Sequence, residues 1–211
     1  MTQKQKTHRI AVAALLAAVA AVLQFVEFSI PIMPAFVKLD ISDLPALLGT
    51  FSLGPVYGVA IQLVKNLLHL PFGSSACVGE LSNFLLGATF ALIAGIVYKK
   101  HKNRSGALWG SVAGAAAMAL ISLPLNYFIV YPAYVVLYGL PLEAIVGMYQ
   151  EILGTVAQIP TGNALFNCLL VFNLPFTFFK GMLDAVICFA IYKPLSPILH
   201  GRNSGGKSVT A

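Results

Sequence analysis

One stretch of this chain gathers ionisable side chains in an otherwise apolar setting. It runs from Lys38 to Gly87 and reads KLDISDLPALLGTFSLGPVYGVAIQLVKNLLHLPFGSSACVGELSNFLLG. Lys38, Asp40, Lys65 and Glu80 stand in it among Leu, Val, Ile and Phe. A charge at the centre of a bilayer costs about 2.5–3.5 kcal/mol, so such a side chain is a functional candidate by default. The chemistry on offer is hydrogen bonding and charge pairing around a small molecule. Bond-breaking chemistry has no support, because no nucleophile stands at a fixed spacing from a base. The histidines His8, His69, His101 and His200 are scattered. His69 follows Lys65 by four residues and shares its helix face near the outer end; it reads as an interfacial residue, with a ligand contact as the second reading. No HExxH and no His/carboxylate pairing occurs, so no metal site is expected.

Gly201 to Ser208 reads GRNSGGKS and fits the phosphate-loop pattern G-x-x-x-x-G-K-[ST]. That loop needs a strand before it and a helix after it. Here a predicted span precedes it and only three residues follow. The match is accidental, and the chain carries no nucleotide-hydrolysing engine of its own. Cys77, Cys168 and Cys188 have no CxxC or zinc spacing and read as small packing residues.

The elements that must position these groups are set by composition. Of 211 residues, 58% are hydrophobic and 9% charged, with mean hydropathy +0.84. A soluble domain carries about 25% charged residues, so this chain cannot cover a water-facing surface. Several apolar runs approach the ~20 residues that a bilayer requires. Net charge is +6, and ten of the thirteen basic residues fall in three clusters: Lys4, Lys6, Arg9; Lys99, Lys100, Lys102, Arg104; and Lys193, Arg202, Lys207. No acid lies in those clusters, which is the positive-inside pattern and not a nucleic-acid face.

The expected fold is all-α: a polytopic membrane protein with six transmembrane helices and long outer loops between helices 1–2 and 5–6. Residues 1–200 form one integral membrane domain, and 201–211 a disordered cytoplasmic tail. Ile10 to about Ser29 is the first span, read as a membrane helix and not a cleaved leader. Its small residues recur at i, i+4 as Ala13, Ala17, Ala21 and as Ala14, Ala18, a face for close helix approach within the chain or to a partner. Asp43 or Ser42 caps a short helix that ends at Gly54-Pro55. Further spans are Pro55 to Leu70, Val78 to Tyr98, Ala107 to Val130 (opened by the packing ladder Gly106, Gly110, Gly114) and Leu174 to Leu199. Pro132 to Asn173 reads as an irregular outer loop with an amphipathic helix near Leu142–Ala157. Four crossings then separate the first two basic clusters and two separate the last pair, which puts both termini in the cytoplasm.

This topology brings Lys38, Asp40, Lys65, Asn66, Glu80, Asn83, Asn126, Asn173, Thr177 and Lys180 to the outer half, with Phe36, Phe84, Tyr127, Tyr131 and Phe176 near them. A few convergent polar groups in an apolar pocket describe a ligand site. The competing reading makes Lys65–Glu80 and Asp40–Lys180 structural ion pairs, with Asp184 as a second partner for Lys180.

At KLDISDLPALLG, GPVYGV, KNLLH and GELSNFLLG the chain resembles the substrate-binding (S) component of energy-coupling factor vitamin transporters, and LNYFIVYPAY, FNLPFTFFKGMLDAVICF and YKPLSPIL extend the match over about residues 9 to 200. The riboflavin-specific branch is the most similar. The resemblance implies six helices, an outward-facing vitamin site, cytoplasmic termini, riboflavin as transported ligand and no cofactor. It also implies a transmembrane coupling subunit and two ATPase subunits as partners, the first docking on an AxxxA face matched by Ala13, Ala17 and Ala21. In that branch an N-x-x-K arrangement near the start of the last helix helps hold the flavin. Here it reads Thr177-Phe178-Phe179-Lys180, with threonine in place of asparagine. Asn173 and Asn126 are then the expected amide contacts, and Lys38, Asp40, Glu80 and Asn83 complete the candidate site. Another vitamin or small heteroaromatic nutrient on the same scaffold is the alternative.

Overall fold

The computed structural model describes residues 2–34, 37–73, 77–153 and 163–199, with side chains as far as residue 195. Phe36 and the expected tail at 201–211 lie outside the described residues. In chain order the elements are α1 (Gln3–Gln24), β1 (Phe28–Ser29), β2 (Lys38–Leu39), α2 (Leu44–Leu53), α3 (Pro55–His69), α4 (Val78–Lys100), α5 (Arg104–Leu125), α6 (Tyr131–Tyr138), α7 (Leu142–Leu153), α8 (Ala164–Cys168) and α9 (Leu174–Leu199). Among the described residues the regular structure is helical apart from one small antiparallel hairpin, Phe28 opposite Leu39 and Ser29 opposite Lys38.

Four helical segments are long and apolar enough to cross a membrane: Gln3–Gln24, Val78–Lys100, Arg104–Tyr138 and Ala164–Leu195. The surface has the character of a bilayer-facing one. Val22, Val56, Trp109, Leu120, Phe128 and Val136 are all exposed, while Lys65, Asp43 and Asp184 are buried. Helix α3 shows the inversion most plainly. Its buried face is Gly58, Ile61, Gln62, Lys65, Asn66 and His69, and its outward face is Leu63, Val64, Leu67 and Leu68. That stripe follows helical periodicity with the usual polarity reversed, as hydrocarbon surroundings demand.

Local sequence explains most boundaries. Thr2 and Gln5 form a capping box at the start of α1. Gly54, at φ 116°, joins α2 to α3 by a single residue, and Pro55 opens α3. Asn103 caps α5 by accepting from the Gly106 amide at 2.6 Å. Asp43 begins α2 as expected, but its side chain makes no cap; it is taken by Lys65 and Gln62 instead. The glycine ladder packs α5 on α4: a Cβ at Gly110 would stand 2.7 Å from the Ala94 carbonyl oxygen, and one at Gly114 2.8 Å from that of Phe90.

Two helices continue where the sequence expectation stopped them. A π turn at Asn126–Val130 joins α5 to α6, and another at Leu169–Asn173 joins α8 to α9. Each ends with an i→i−5 bond, from Tyr131 to Asn126 and from Leu174 to Leu169. Each lies just ahead of a proline, Pro132 and Pro175. A proline lacks the N–H and its ring crowds the carbonyl four residues back; a wider turn relieves that crowding without ending the helix. The expected loop at 132–173 is therefore largely helical among its described residues, as α6, α7 and α8. The last helical segment starts at Ala164, not Leu174.

The alanine repeats of α1 divide between two faces. Ala17 and Ala21 are buried and Ala13 half-buried, turned toward the chain's own core, while Ala14 and Ala18 are exposed. The assignment of Ala13, Ala17 and Ala21 to an outer partner thus falls on an inward face. Both repeats have the same spacing, so spacing alone could not choose between them.

Candidate ligand-binding site

Helices α1 and α3 end, and α4 begins, at the side of the molecule opposite the basic clusters. A cavity of about 300 Å³ opens there, at the lower end of the range usual for small-molecule sites. Lys38, Asp40, Glu80, Asn83, Asn126, Asn173, Thr177 and Lys180 all line it. Lys65 and Asn66 do not; they lie behind the wall. Of the expected aromatics, Tyr131 and Phe176 line the cavity, whereas Phe84 and Tyr127 do not. Phe25, Phe72 and Tyr134 add to the wall.

The floor is a charge network between distant segments. Lys180 Nζ donates to Asp40 Oδ2 at 2.7 Å and lies 3.7 Å from Asp43 Oδ2. Lys65 Nζ donates to Asp43 Oδ1 at 2.5 Å and to Ser42 Oγ at 2.6 Å. Gln62 Nε2 also donates to Asp43 Oδ1, at 2.9 Å. Asp40 accepts from both the amide and the hydroxyl of Ser42. Burial by itself would raise the Asp40 carboxyl, but the ammonium groups of Lys180 and Lys65 outweigh it and hold the group well below the usual carboxylate range. Charge on this floor is largely neutralised within the protein.

Three sequence expectations change here. Lys65 pairs with Asp43 and not with Glu80. Glu80 pairs with His69 at 3.1 Å, so His69 is a buried wall residue and not an interfacial one. Asp184 does not pair with Lys180; neither of its oxygens has a hydrogen-bond partner among the described residues. The reason is common to all three. Asp43 takes Lys65 and Asp40 takes Lys180, which leaves Glu80 to His69 and the Asp184 oxygens without a hydrogen-bond partner among the described residues. The expected Asp40–Lys180 pair is present.

The rim is formed by the hairpin, where Lys38 on β2 pairs with Glu27, the residue just before β1. One wall carries carboxamides. Gln24 Nε2 donates to Asn66 Oδ1 at 3.2 Å, which ties α1 to α3. Gln24 Oε1 and Asn83 Oδ1 are buried acceptors with no hydrogen-bond partner among the described residues. Leaving such an acceptor unmet costs about 1–3 kcal/mol. Gln24 closes α1, five residues before the expected end of that span near Ser29, and nothing in its spacing marked it as a wall residue.

The opposite wall holds a ring of three hydrogen bonds. Tyr149 donates to Asn173 Oδ1 at 2.5 Å, Asn173 Nδ2 donates to Tyr131 at 3.2 Å, and the two tyrosine oxygens lie 2.6 Å apart. Burial pushes the Tyr149 hydroxyl well above the usual phenol range, which keeps it protonated. Asn126 and Asn173 each sit in a π turn, the kind of local widening often found at functional sites. Together the walls offer aromatic faces, amide and hydroxyl groups and compensated charge. Such a site suits a flat, uncharged, hydrogen-bonding molecule. Among the described residues no group of His, Cys, Asp and Glu could hold a metal ion.

Residues 8–192 match the family model described as "ECF transporter, substrate-specific component". The riboflavin transporter RibU of Staphylococcus aureus (strain TCH60) is 33% identical over 195 residues, covering 92% of this chain and 94% of its own. The riboflavin transporter FmnP of Bacillus subtilis (strain 168) is 29% identical over 202 residues, covering 94% and 97%. A solved structure of the S component of a bacterial ECF transporter superposes with TM-score 0.69 at 32% identity, covering 93% of this chain and 99% of that one.

Proposed function

The chain belongs to the family of substrate-specific components of ECF transporters, a transporter subunit and not an enzyme, and from that premise we propose that it captures riboflavin for uptake across the cell membrane. The observation that carries this reading is the meeting of eight polar side chains, from the hairpin, α4, both π turns and α9, around one cavity. Riboflavin is neutral and flat. The aromatic wall of Phe25, Tyr131, Tyr134 and Phe176 takes its ring system. The carboxamides of Asn83, Asn126, Asn173 and Gln24, with Thr177 and Lys180, take its polar edge and its ribityl hydroxyls. Asp40 and Glu80 act as hydrogen-bond acceptors, not as counter-charges. The names of the relatives support this assignment.

The four long apolar helices, with α2 and α3 as two short crossings, make six, which supports both termini lying in the cytoplasm beside the basic clusters. Residues 1–200 then act as one membrane domain. A transmembrane coupling subunit and two ATPase subunits complete the transporter, and the exposed Ala14 and Ala18 face of α1 is the surface on which the coupling subunit docks.

The test is purification in detergent without added flavin, followed by extraction of any bound ligand and titration of flavin fluorescence. Bound yellow ligand with the mass of riboflavin, and quenching on titration, are expected. Colourless protein that quenches no flavin but is stabilised by another heteroaromatic vitamin overturns the assignment and favours the same scaffold with a different cargo.

A further inference from the structure

Tyr149 does not line the cavity, yet its hydroxyl is one of the most committed groups in the protein. It sits on α7, which reaches the membrane helices through two fully buried side chains one turn apart, Ile145 and Tyr149. A phenol has one proton to give. Tyr149 gives it to Asn173 Oδ1, so in the 2.6 Å contact between the tyrosines Tyr131 is the donor and Tyr149 the acceptor. Tyr131 in turn accepts from Asn173 Nδ2. All three bonds run the same way round a closed ring, an arrangement in which each bond polarises the next. The ring joins three separate segments: the start of α6, the middle of α7, and the π turn ahead of α9.

The consequence falls on Asn173. Its oxygen accepts from Tyr149, which does not line the cavity, and its nitrogen donates to Tyr131, which does. The carboxamide plane is fixed, its oxygen is occupied by Tyr149, and of its two N–H groups one is given to Tyr131, which leaves the second N–H as the donor it can offer a ligand. We propose that Tyr149 is a positioning residue: through this ring it holds the Asn173 carboxamide so that the site selects a heteroaromatic edge bearing an acceptor, such as a ring carbonyl or an unprotonated ring nitrogen. The proposal rests on the riboflavin reading for the identity of that edge, and on geometry alone for the ring.

The experiment has two arms on the full-length protein in detergent. In the first, Tyr149→Phe keeps the aromatic body that packs on Phe172, with ring centroids 5.1 Å apart, and removes only the hydroxyl. Riboflavin binding is expected to weaken about tenfold, roughly the worth of one buried hydrogen bond. More tellingly, across flavins that each lack one ring acceptor (1-deaza, 5-deaza, 2-thio and 4-thio), the wild type penalises one analogue, and that penalty shrinks to within about twofold in Tyr149→Phe. Adding Tyr149→Phe to Asn173→Ala changes the affinity no further, since the residue acts through Asn173. The second arm needs no ligand: the side-chain amide protons of Asn173, assigned by their loss in Asn173→Ala, are protected from exchange in the wild type and unprotected in Tyr149→Phe. Unchanged discrimination together with additive losses overturns the inference, as does equal exchange in both proteins. If the wild type binds no flavin while the exchange difference is present, the cargo assignment fails and the positioning role stands.

Discussion

Lys180 and Asp40 stand 140 residues apart in sequence, and their side chains meet at 2.7 Å beneath the ligand cavity. The pair closes the molecule between its first loop and its last helix. It also fixes the Lys180 ammonium beside Thr177, one turn away on the same face of α9.

Breaking that pair from one side should cost more than removing both charges. Lys180→Met leaves Asp40 and Asp43 short of a cation in a buried site, a loss of about 3–5 kcal/mol for an uncompensated charge. Thermal unfolding in detergent should show a large fall for Lys180→Met and a smaller one for the double variant Lys180→Met/Asp40→Asn. Equal falls would mean that the two residues act independently.

Acid should leave this network intact well below neutrality. Asp40 has its carboxyl lowered in the folded protein. A lowered carboxyl contributes stability above its unfolded value, about 3.9, and loses it as pH falls through the folded value. Between pH 7 and pH 5 the Asp40 contribution is therefore constant, and its loss begins only below about pH 4. Stability curves of wild type and Asp40→Asn should run parallel from pH 7 to 5 and converge only at lower pH.

Asn126→Ala should weaken riboflavin binding by about tenfold, the worth of one hydrogen bond to a neutral ligand, while ligand-free stability moves little. Fluorescence titration and melting curves on the same preparations separate the two effects. A variant that melts early and binds normally would place Asn126 in the scaffold and not at the ligand.

The two alanine faces of α1 should separate cleanly. Ala17 is 3% exposed, so Ala17→Leu overpacks the interior and should cost about 1–3 kcal/mol of stability. Ala14→Leu changes only the outer face. It should leave folding and riboflavin binding alone and reduce co-purification with the coupling subunit. Undiminished assembly of Ala14→Leu would move the docking surface to another helix.

Much of this architecture could be read without coordinates, because hydrocarbon imposes simple rules. The apolar runs announced the long helices, and the basic clusters ordered them. The convergence of Lys38, Asp40, Glu80, Asn83, Asn126, Asn173, Thr177 and Lys180 on one cavity followed from placing polar residues along those helices. What escaped was decided by three-dimensional competition. Asp43 looked like a helix cap, but Lys65 and Gln62 were closer claimants for its oxygens. Pro132 looked like the end of one span and Leu174 like the start of another, and the π turns ahead of Pro132 and Pro175 carry both helices through. Tyr149 carried no signal, since its partners lie 18 and 24 residues away in sequence. Nor could an AxxxA spacing present on two faces reveal which one turns inward.

Each π turn holds one residue more than a regular helix would need at that point. Deleting one residue from 169–173 would swing everything on one side of the turn by about 100° relative to the other. The turn thus acts as a rotary joint fixed at manufacture: it sets the azimuth of α8 relative to α9, the helix that carries Phe176, Thr177 and Lys180 to the cavity.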